Sequence, residues 1–244
     1  MRRLIARYPR LDAFVGARFA RGTPFGLHLT LGLSVSVIGF FVFASIAENV
    51  FYGTSLVQLD LWLFEQLPMK PSGYMIAEMV TALGSWLPLT ALTVTVGIIL
   101  MMRRQWRLFR GWLIAVIGGE VFNLLLKVGF QRPRPDHSEI LSSQSWSFPS
   151  GHAMMSLVVY GMLVYLLTVL APNMGRRRLA MFAGGAAALV LAIGWSRIYL
   201  GVHHLSDVVA GYAAGALWLS ACSSAVEISR RRSPRPRAMA PHPR

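Results

Sequence analysis

The chain has 244 residues, 55% of them hydrophobic and only 14% charged, against about 45–50% and about 25% in ordinary soluble domains. This composition argues against a water-solvated globular domain and against disorder, and a single cysteine, Cys222, excludes an intrachain disulfide or a zinc site built on two thiolates. The formal net charge of +14 does not describe a nucleic-acid groove, because the basic residues are not interleaved with aromatics on one face. All but five of the 24 lysines and arginines fall in four blocks between or outside long apolar runs. These are Arg2, Arg3, Arg7, Arg10, Arg18 and Arg21; Arg103, Arg104, Arg107 and Arg110; Arg176, Arg177 and Arg178; and Arg230, Arg231, Arg232, Arg235, Arg237 and Arg244.

A membrane-spanning helix needs about 20 mostly apolar residues, since each rises ~1.5 Å across a ~30 Å hydrocarbon layer. The first such run is 22–47. The segment 48–78 follows, with Leu56, Leu59, Leu63 and Leu67 spaced for a short amphipathic helix at the interface, Asp60 and Glu65 between them, and Pro68 and Pro71 at its end. A loop packed on the bundle is the alternative. Further runs are 79–102; 111–130, interrupted by Glu120 and Lys127; 151–172; 179–196; and 208–226. The predicted fold is therefore all-α, a polytopic membrane protein with six transmembrane helices and a short interfacial helix between the first two.

The positive-inside bias places all four arginine blocks and both termini in the cytoplasm. Residues 1–21 read as a basic cytoplasmic segment, 22–229 as the membrane domain, and 230–244, rich in Pro and Arg, as a disordered cytoplasmic tail. The lipid bilayer is the expected partner, and nucleic acid is not. Within the bundle, Gly211 and Gly215, and Gly184 and Gly185, are expected to allow close helix packing. Glu120, Asn123 and Lys127 share one helical face as a buried polar stripe, and Trp86, Trp146, Trp195 and Tyr199 suit interface belts.

The five remaining cations are Lys70, Lys127, Arg132, Arg134 and Arg197. With this topology, Lys127, Arg132, Arg134, the start of the fourth run, Arg197, and His203, His204 and Asp207 all arrive at the non-cytoplasmic end. Polar groups at membrane level are costly, so their gathering marks a functional site. Lys127, Arg134 and Arg197 can surround a phosphoryl group. The sequence Pro149-Ser150-Gly151-His152 opens a helix whose free N–H groups favour an oxyanion. Two separated histidines supply what phosphoryl transfer needs beyond charge, one to attack phosphorus and one to protonate the leaving oxygen. Asp207 lies at i+4 from His203 and i+3 from His204, and spacing alone leaves either as its imidazole partner. Arg132 and His137 read as loop-solvating or headgroup-contacting residues.

These segments resemble the signature of the type-2 phosphatidic acid phosphatase (PAP2) superfamily. Its lysine, six residues, Arg-Pro element is similar to Lys127 through Arg134-Pro135; Arg132-Pro133 has the wrong spacing. Its Pro-Ser-Gly-His element is Pro149 to His152. Its Ser-Arg, five residues, His, three residues, Asp element is Ser196-Arg197, His203 and Asp207. The resemblance implies a catalytic set of His203 as nucleophile, His152 as acid and base, and Asp207 as orienting partner. It implies Lys127, Arg134, Ser150, Gly151 and Arg197 as phosphate-binding residues, with no metal and no cofactor. The implied activity is metal-independent hydrolysis of a lipid phosphate or diphosphate, through a phosphohistidine, at the periplasmic or extracellular face of a cell (inner) membrane. Undecaprenyl diphosphate, phosphatidylglycerol phosphate, phosphatidic acid and lipid A are the candidate substrates. A non-hydrolytic anion transporter or lipid-phosphate-binding membrane protein is the alternative reading of the same cations.

Overall fold

The computed structural model describes residues 26–66, 73–135 and 146–231. The basic segment before residue 26, Pro68, Lys70, Pro71, His137 and the tail beyond Arg231 lie outside the described residues. The helices are α1 (Leu27–Tyr52), α2 (Ser55–Glu65), α3 (Tyr74–Ala82), α4 (Trp86–Met102), α5 (Trp106–Phe130), α6 (Gly151–Leu170), α7 (Arg176–Tyr199) and α8 (Leu205–Arg231). No strand occurs among the described residues. Six helical stretches are long and apolar enough to cross a membrane: α1, the α3–α4 pair, and α5 to α8. The fold is thus an all-α membrane bundle with a short helix between its first two spans.

The second span starts earlier than its apolar run and is broken in the middle. The N–H groups of Leu83, Gly84 and Ser85 bond to the carbonyls of Val80, Thr81 and Ala82, tightening the chain into a turn. Pro88 cannot donate to the carbonyl four residues back, so a new helix has to begin; the proline sits in its first turn, where no donor is missed. The sixth span begins at Leu205 rather than 208, which brings Asp207 into its first turn.

Helix α8 is the axis of the bundle, with α1, α5 and α6 packed on it; α7 lies on α6 and α3, and α2 touches α1 and α8. Close approach is made by absent side chains. A Cβ on Gly211 would stand 2.6 Å from the Ser150 carbonyl oxygen, and one on Gly215 3.0 Å from that of Met154, so α8 and α6 meet backbone to backbone. Away from the site the bundle closes on Trp112, Leu100, Leu108, Val158, Val159, Met162 and Leu166. Phe40, Phe41, Ile98, Leu124, Leu125, Leu191 and the indoles of Trp86, Trp146 and Trp195 are exposed on the outside of the protein, as expected where lipid is the solvent.

Two expectations are corrected, on α5 and α7. On α2, Leu56 and Leu63 are covered with Val57 and Phe64 while Leu59 points outward, and Asp60 joins the covered face, only 1% exposed. A buried carboxylate with fixed partners outweighs an apolar contact there. Glu120 is exposed while Asn123 is buried, so the polar stripe of α5 rotates out of the bundle toward its middle. Nothing among the described residues lies within 4 Å of a Cβ built on Gly184 or Gly185, so these glycines do not mediate packing between the described helices.

Gly211→Ala is expected to cost about 1–3 kcal/mol, because the clash is with backbone that cannot yield. Gly184→Ala, into open space, is expected to gain up to about 1 kcal/mol of helix propensity. Thermal unfolding in detergent checks this: the first midpoint falls and the second does not.

Candidate active site

The arginines of the 103–110 block, those of 176–178, and Arg230 and Arg231 mark one end of the bundle; the end of α5, the start of α6, the end of α7 and the start of α8 form the other. At that second end Gln131, at φ 48°, closes α5 by donating its N–H to the Lys127 carbonyl and turns the chain across the bundle. The next residues are tied to the segment before α6. Ser147 N–H donates to the Arg132 carbonyl (2.8 Å) and Ser147 Oγ to that of Pro133 (2.8 Å). Lys127 Nζ donates to the Trp146 carbonyl (2.6 Å), and Arg134 Nη1 to that of Val202 (3.2 Å).

Helix α6 is positioned from α8, because Ser150 N–H donates to the backbone carbonyl of Asp207 at 2.9 Å. Gly151 follows with Asn123 Oδ1 at 3.0 Å and Lys127 Cε at 3.8 Å from where its Cβ would be, so a larger residue would push into the site. Between α7 and α8, Gly201 at φ 66° turns the chain back, and the N–H groups of Val202 and His203 both bond to the Arg197 carbonyl.

Asp207 is fully buried and engaged on both oxygens. Oδ1 accepts from Arg132 Nη1 at 2.7 Å. Oδ2 accepts from the His204 N–H at 3.0 Å, a third-position acid capping the start of its own helix, and stands 3.5 Å from His203 Nδ1 and 3.6 Å from His204 Nδ1. These last two separations exceed a well-made hydrogen bond; such contacts often tighten only when substrate is bound. With Nδ1 of His203 toward the carboxylate, Nε2 is the nitrogen left for chemistry. Burial pushes the His203 imidazole down to about 4, opposed by Asp207 and reinforced by Arg197 and Arg134, so its ring is neutral near pH 7. Burial likewise lowers the Arg134 guanidinium, with Asp207 opposing.

Besides its burial, the charged groups that act on His152 are Arg197, His203, Arg134 and Lys127, so three cations and two histidines drawn from four segments lie near one another. His204 instead lies against the Phe64 ring of α2, with centroids 6.0 Å apart. Ser150 Oγ and Arg197 Nε are buried without a hydrogen-bond partner among the described residues. Orphaned buried donors of this kind suit a multiply accepting anion such as phosphate. No three His, Cys, Asp or Glu side chains among the described residues converge as a metal site.

Five residues hold places at the site that the sequence did not assign them: Thr81, Gly84, Asp60, Ser206 and Arg132. Thr81 Oγ1 accepts from Arg197 Nη1 at 3.0 Å, and a Cβ on Gly84 would lie 3.5 Å from His152 Cδ2, so the broken second span borders the pocket. Asp60 reaches in from α2: its Oδ1 accepts from Ser206 N–H (3.0 Å), and its Oδ2 accepts from Arg132 Nη2 (2.9 Å) and from Ser206 Oγ. Arg132 is not a loop-solvating or headgroup residue; its side chain is 10% exposed and bridges Asp60 to Asp207. The paired arginines of Arg132-Pro133-Arg134 diverge because Arg134 turns toward Val202 and Arg132 toward buried carboxylates that demand a counter-charge.

Fold and site together define an integral membrane phosphatase. The PAP2 superfamily matches residues 108–231, and the chain belongs to that family. It is 33% identical over 141 residues to phosphatidylglycerophosphatase B of Bacillus subtilis, covering 57% of this chain and 68% of that one. It is 31% identical over 158 residues to an undecaprenyl-diphosphatase of Sulfolobus acidocaldarius, covering 58% and 63%. It is 36% identical over 138 residues to a decaprenylphosphoryl-5-phosphoribose phosphatase of Mycobacterium tuberculosis, covering 54% and 66%. The chain therefore spans slightly less than two thirds of the last two relatives. The crystal structure of a transmembrane PAP2 type phosphatidylglycerolphosphate phosphatase from Bacillus subtilis superposes with a TM-score of 0.69 at 28% identity, over 77% of this chain and 93% of that one. Membership of a family of phosphatases sets aside the non-hydrolytic transporter.

A neutral buried imidazole gives a signed expectation. In ring-15N spectra, the signal lost in His203→Gln titrates near pH 4 rather than near the ordinary 6.5. Because the unfolded chain binds that proton first, stability falls as pH drops from about 6.5 to about 4 and levels off below. Titration at 6.5 would show that burial does not govern this ring.

Proposed function

We propose that the protein hydrolyses a lipid-linked phosphate or diphosphate without a metal, His203 acting as nucleophile. The observation that carries this is the shared pocket: a neutral imidazole oriented by Asp207, beside His152 and under Lys127, Arg134 and Arg197. His203 Nε2 attacks phosphorus while the bond to the leaving oxygen breaks, and His152 gives that oxygen its proton. His152 then takes a proton from water, the resulting hydroxide attacks the phosphohistidine, and inorganic phosphate departs, restoring His203. Lys127, Arg134, Arg197, Ser150 and the Gly151 N–H hold the phosphate oxygens, whose negative charge they offset throughout.

A lipid substrate is supported by a cleft of about 300 Å³ between α3 and α7, lined by Ile76, Ala77, Val80, Ala192, Trp195 and Tyr199 and reaching Ser196 beside Arg197. A headgroup at Arg197 can keep its tail in this apolar cleft and the bilayer. The three relatives are named for a phosphatidylglycerophosphate, an undecaprenyl diphosphate and a decaprenylphosphoryl-5-phosphoribose, which supports the lipid class and leaves its member to experiment; undecaprenyl diphosphate is the first to assay. The arginine blocks at the opposite end support cytoplasmic termini and an active site on the far side of the membrane.

Phosphate release from a panel of these lipids by purified protein in detergent tests the proposal. His203→Ala is expected to lower kcat by at least about 10³-fold, and His152→Ala by about 10²–10⁴-fold. Chelators are expected to leave the rate unchanged. Parental turnover by His203→Ala, or a chelator loss restored by magnesium, would overturn the mechanism.

A further inference from the structure

The charges around Asp207 form a chain rather than a pair. Asp60, Arg132 and Asp207 alternate in sign within 2.7–2.9 Å contacts, and His203 stands at the end of the row. Helix α2 delivers Asp60 and Phe64, one helical turn apart, onto the same turn that carries His204, Ser206 and Asp207. Asp60 also caps α8 through the Ser206 N–H, and it touches neither His203 nor the three phosphate-binding cations in any hydrogen bond or ion pair seen among the described residues.

We propose that Asp60 is a positioning residue for the phosphatase reaction, acting through Arg132 to keep Asp207 an effective partner for His203. Arg132 makes burial of the Asp207 carboxylate tolerable, but a whole positive charge there also opposes any positive charge on the imidazole. When Nε2 of His203 bonds to phosphorus while Nδ1 keeps its proton, the ring becomes cationic. Asp60 balances Arg132, so the negative charge of Asp207 stays available to that ring. The helix between the first two spans is thereby part of the reaction's electrostatics.

The charged and titratable groups around His203 all enter the expected signs: Asp207 and His204 from its own turn and helix, Lys127 from the end of α5, Arg132 and Arg134 from the chain after α5, His152 from α6, Arg197 from α7, and, through Arg132, Asp60 from α2. Asp60→Asn leaves Arg132 unbalanced and makes the imidazole harder to protonate. Arg132→Gln removes the positive charge and makes it easier.

The proposal rests on His203 being the nucleophile, and the two can fail separately. The test uses the full chain in detergent, with steady-state kinetics on the best lipid of the panel and ring-15N titration of His203. Asp60→Asn is expected to lower kcat about 10- to 100-fold with KM within about threefold, and to move the titration of His203 to lower pH. Arg132→Gln moves it to higher pH, and Asp60→Asn/Arg132→Gln turns over faster than Asp60→Asn alone. A merely structural pair gives neither opposite titration shifts nor a rescue, only a lower unfolding midpoint. Shifts of one sign, losses that multiply in the double variant, or parental kcat and titration in Asp60→Asn would overturn the proposal. If Asp60→Asn does not fold, an unmoved titration in Arg132→Gln does so alone. An active His203→Ala would instead remove the nucleophile assignment, while the titration shifts still report the charge coupling.

Discussion

The buried carboxylate of Asp207 sets most of what surrounds it. An ionised carboxylate taken out of water must be paired and hydrogen-bonded or it becomes strongly destabilising, and removing one member of a buried pair costs about 3–5 kcal/mol. Asp207 meets that demand with Arg132, with a cap to His204 N–H, and with proximity to two imidazoles. Arg132 in turn requires Asp60, and Asp60 fixes α2 to the start of α8. Through its backbone carbonyl Asp207 also holds Ser150, so one residue connects the beginnings of α6 and α8 with the chain leaving α5. The site is therefore a place where helix ends have to converge, and the contact of Gly211 with the Ser150 carbonyl lets them do so.

The bilayer explains why this polarity is confined to one end. Along most of their length the helices present Phe, Leu, Ile and Val outward, and bury an apolar core around Trp112, Met162 and Leu166. Among the described residues, charges apart from Glu120 on α5 lie toward the ends of the spans: arginine blocks at one side, the cations and histidines of the pocket at the other. Arg197 in the last turn of α7 and Lys127 in the last turn of α5 are also where a helix dipole favours a cation. A pocket walled by apolar helix and floored by fixed cations strengthens every electrostatic contact with an incoming phosphate.

The number of spans, their order and the grouping of Lys127, Arg134, Ser150, Gly151, His152, Arg197, His203 and Asp207 were legible in the sequence, because apolar run length and motif spacing are properties of neighbouring residues. The supporting residues were not. Asp60 among spaced leucines carries no signal of a partner, and only packing 146 residues away, on Ser206, turns it inward. Arg132 and Arg134 are equivalent as isolated Arg-Pro pairs; their different partners come from how the chain leaves Gln131. Thr81 and Gly84 border the pocket because Pro88 forces the second span to break, which composition conceals. Glu120 shares a face with Asn123 and Lys127 on a helical wheel, but where a neighbour stops covering that face is a tertiary fact.

The proposed reaction turns on the passage of phosphorus through Nε2 of His203. Rapid acid-free quenching of the purified protein with substrate labelled in its terminal phosphate, followed by peptide mapping, tests this most directly. The expected result is an alkali-stable, acid-labile phosphate on the peptide carrying His203, present in the parent and absent from His203→Gln. Label on another residue, or steady turnover with no label on His203 in Asp207-intact, His152→Ala protein whose second step is slowed, would contradict it.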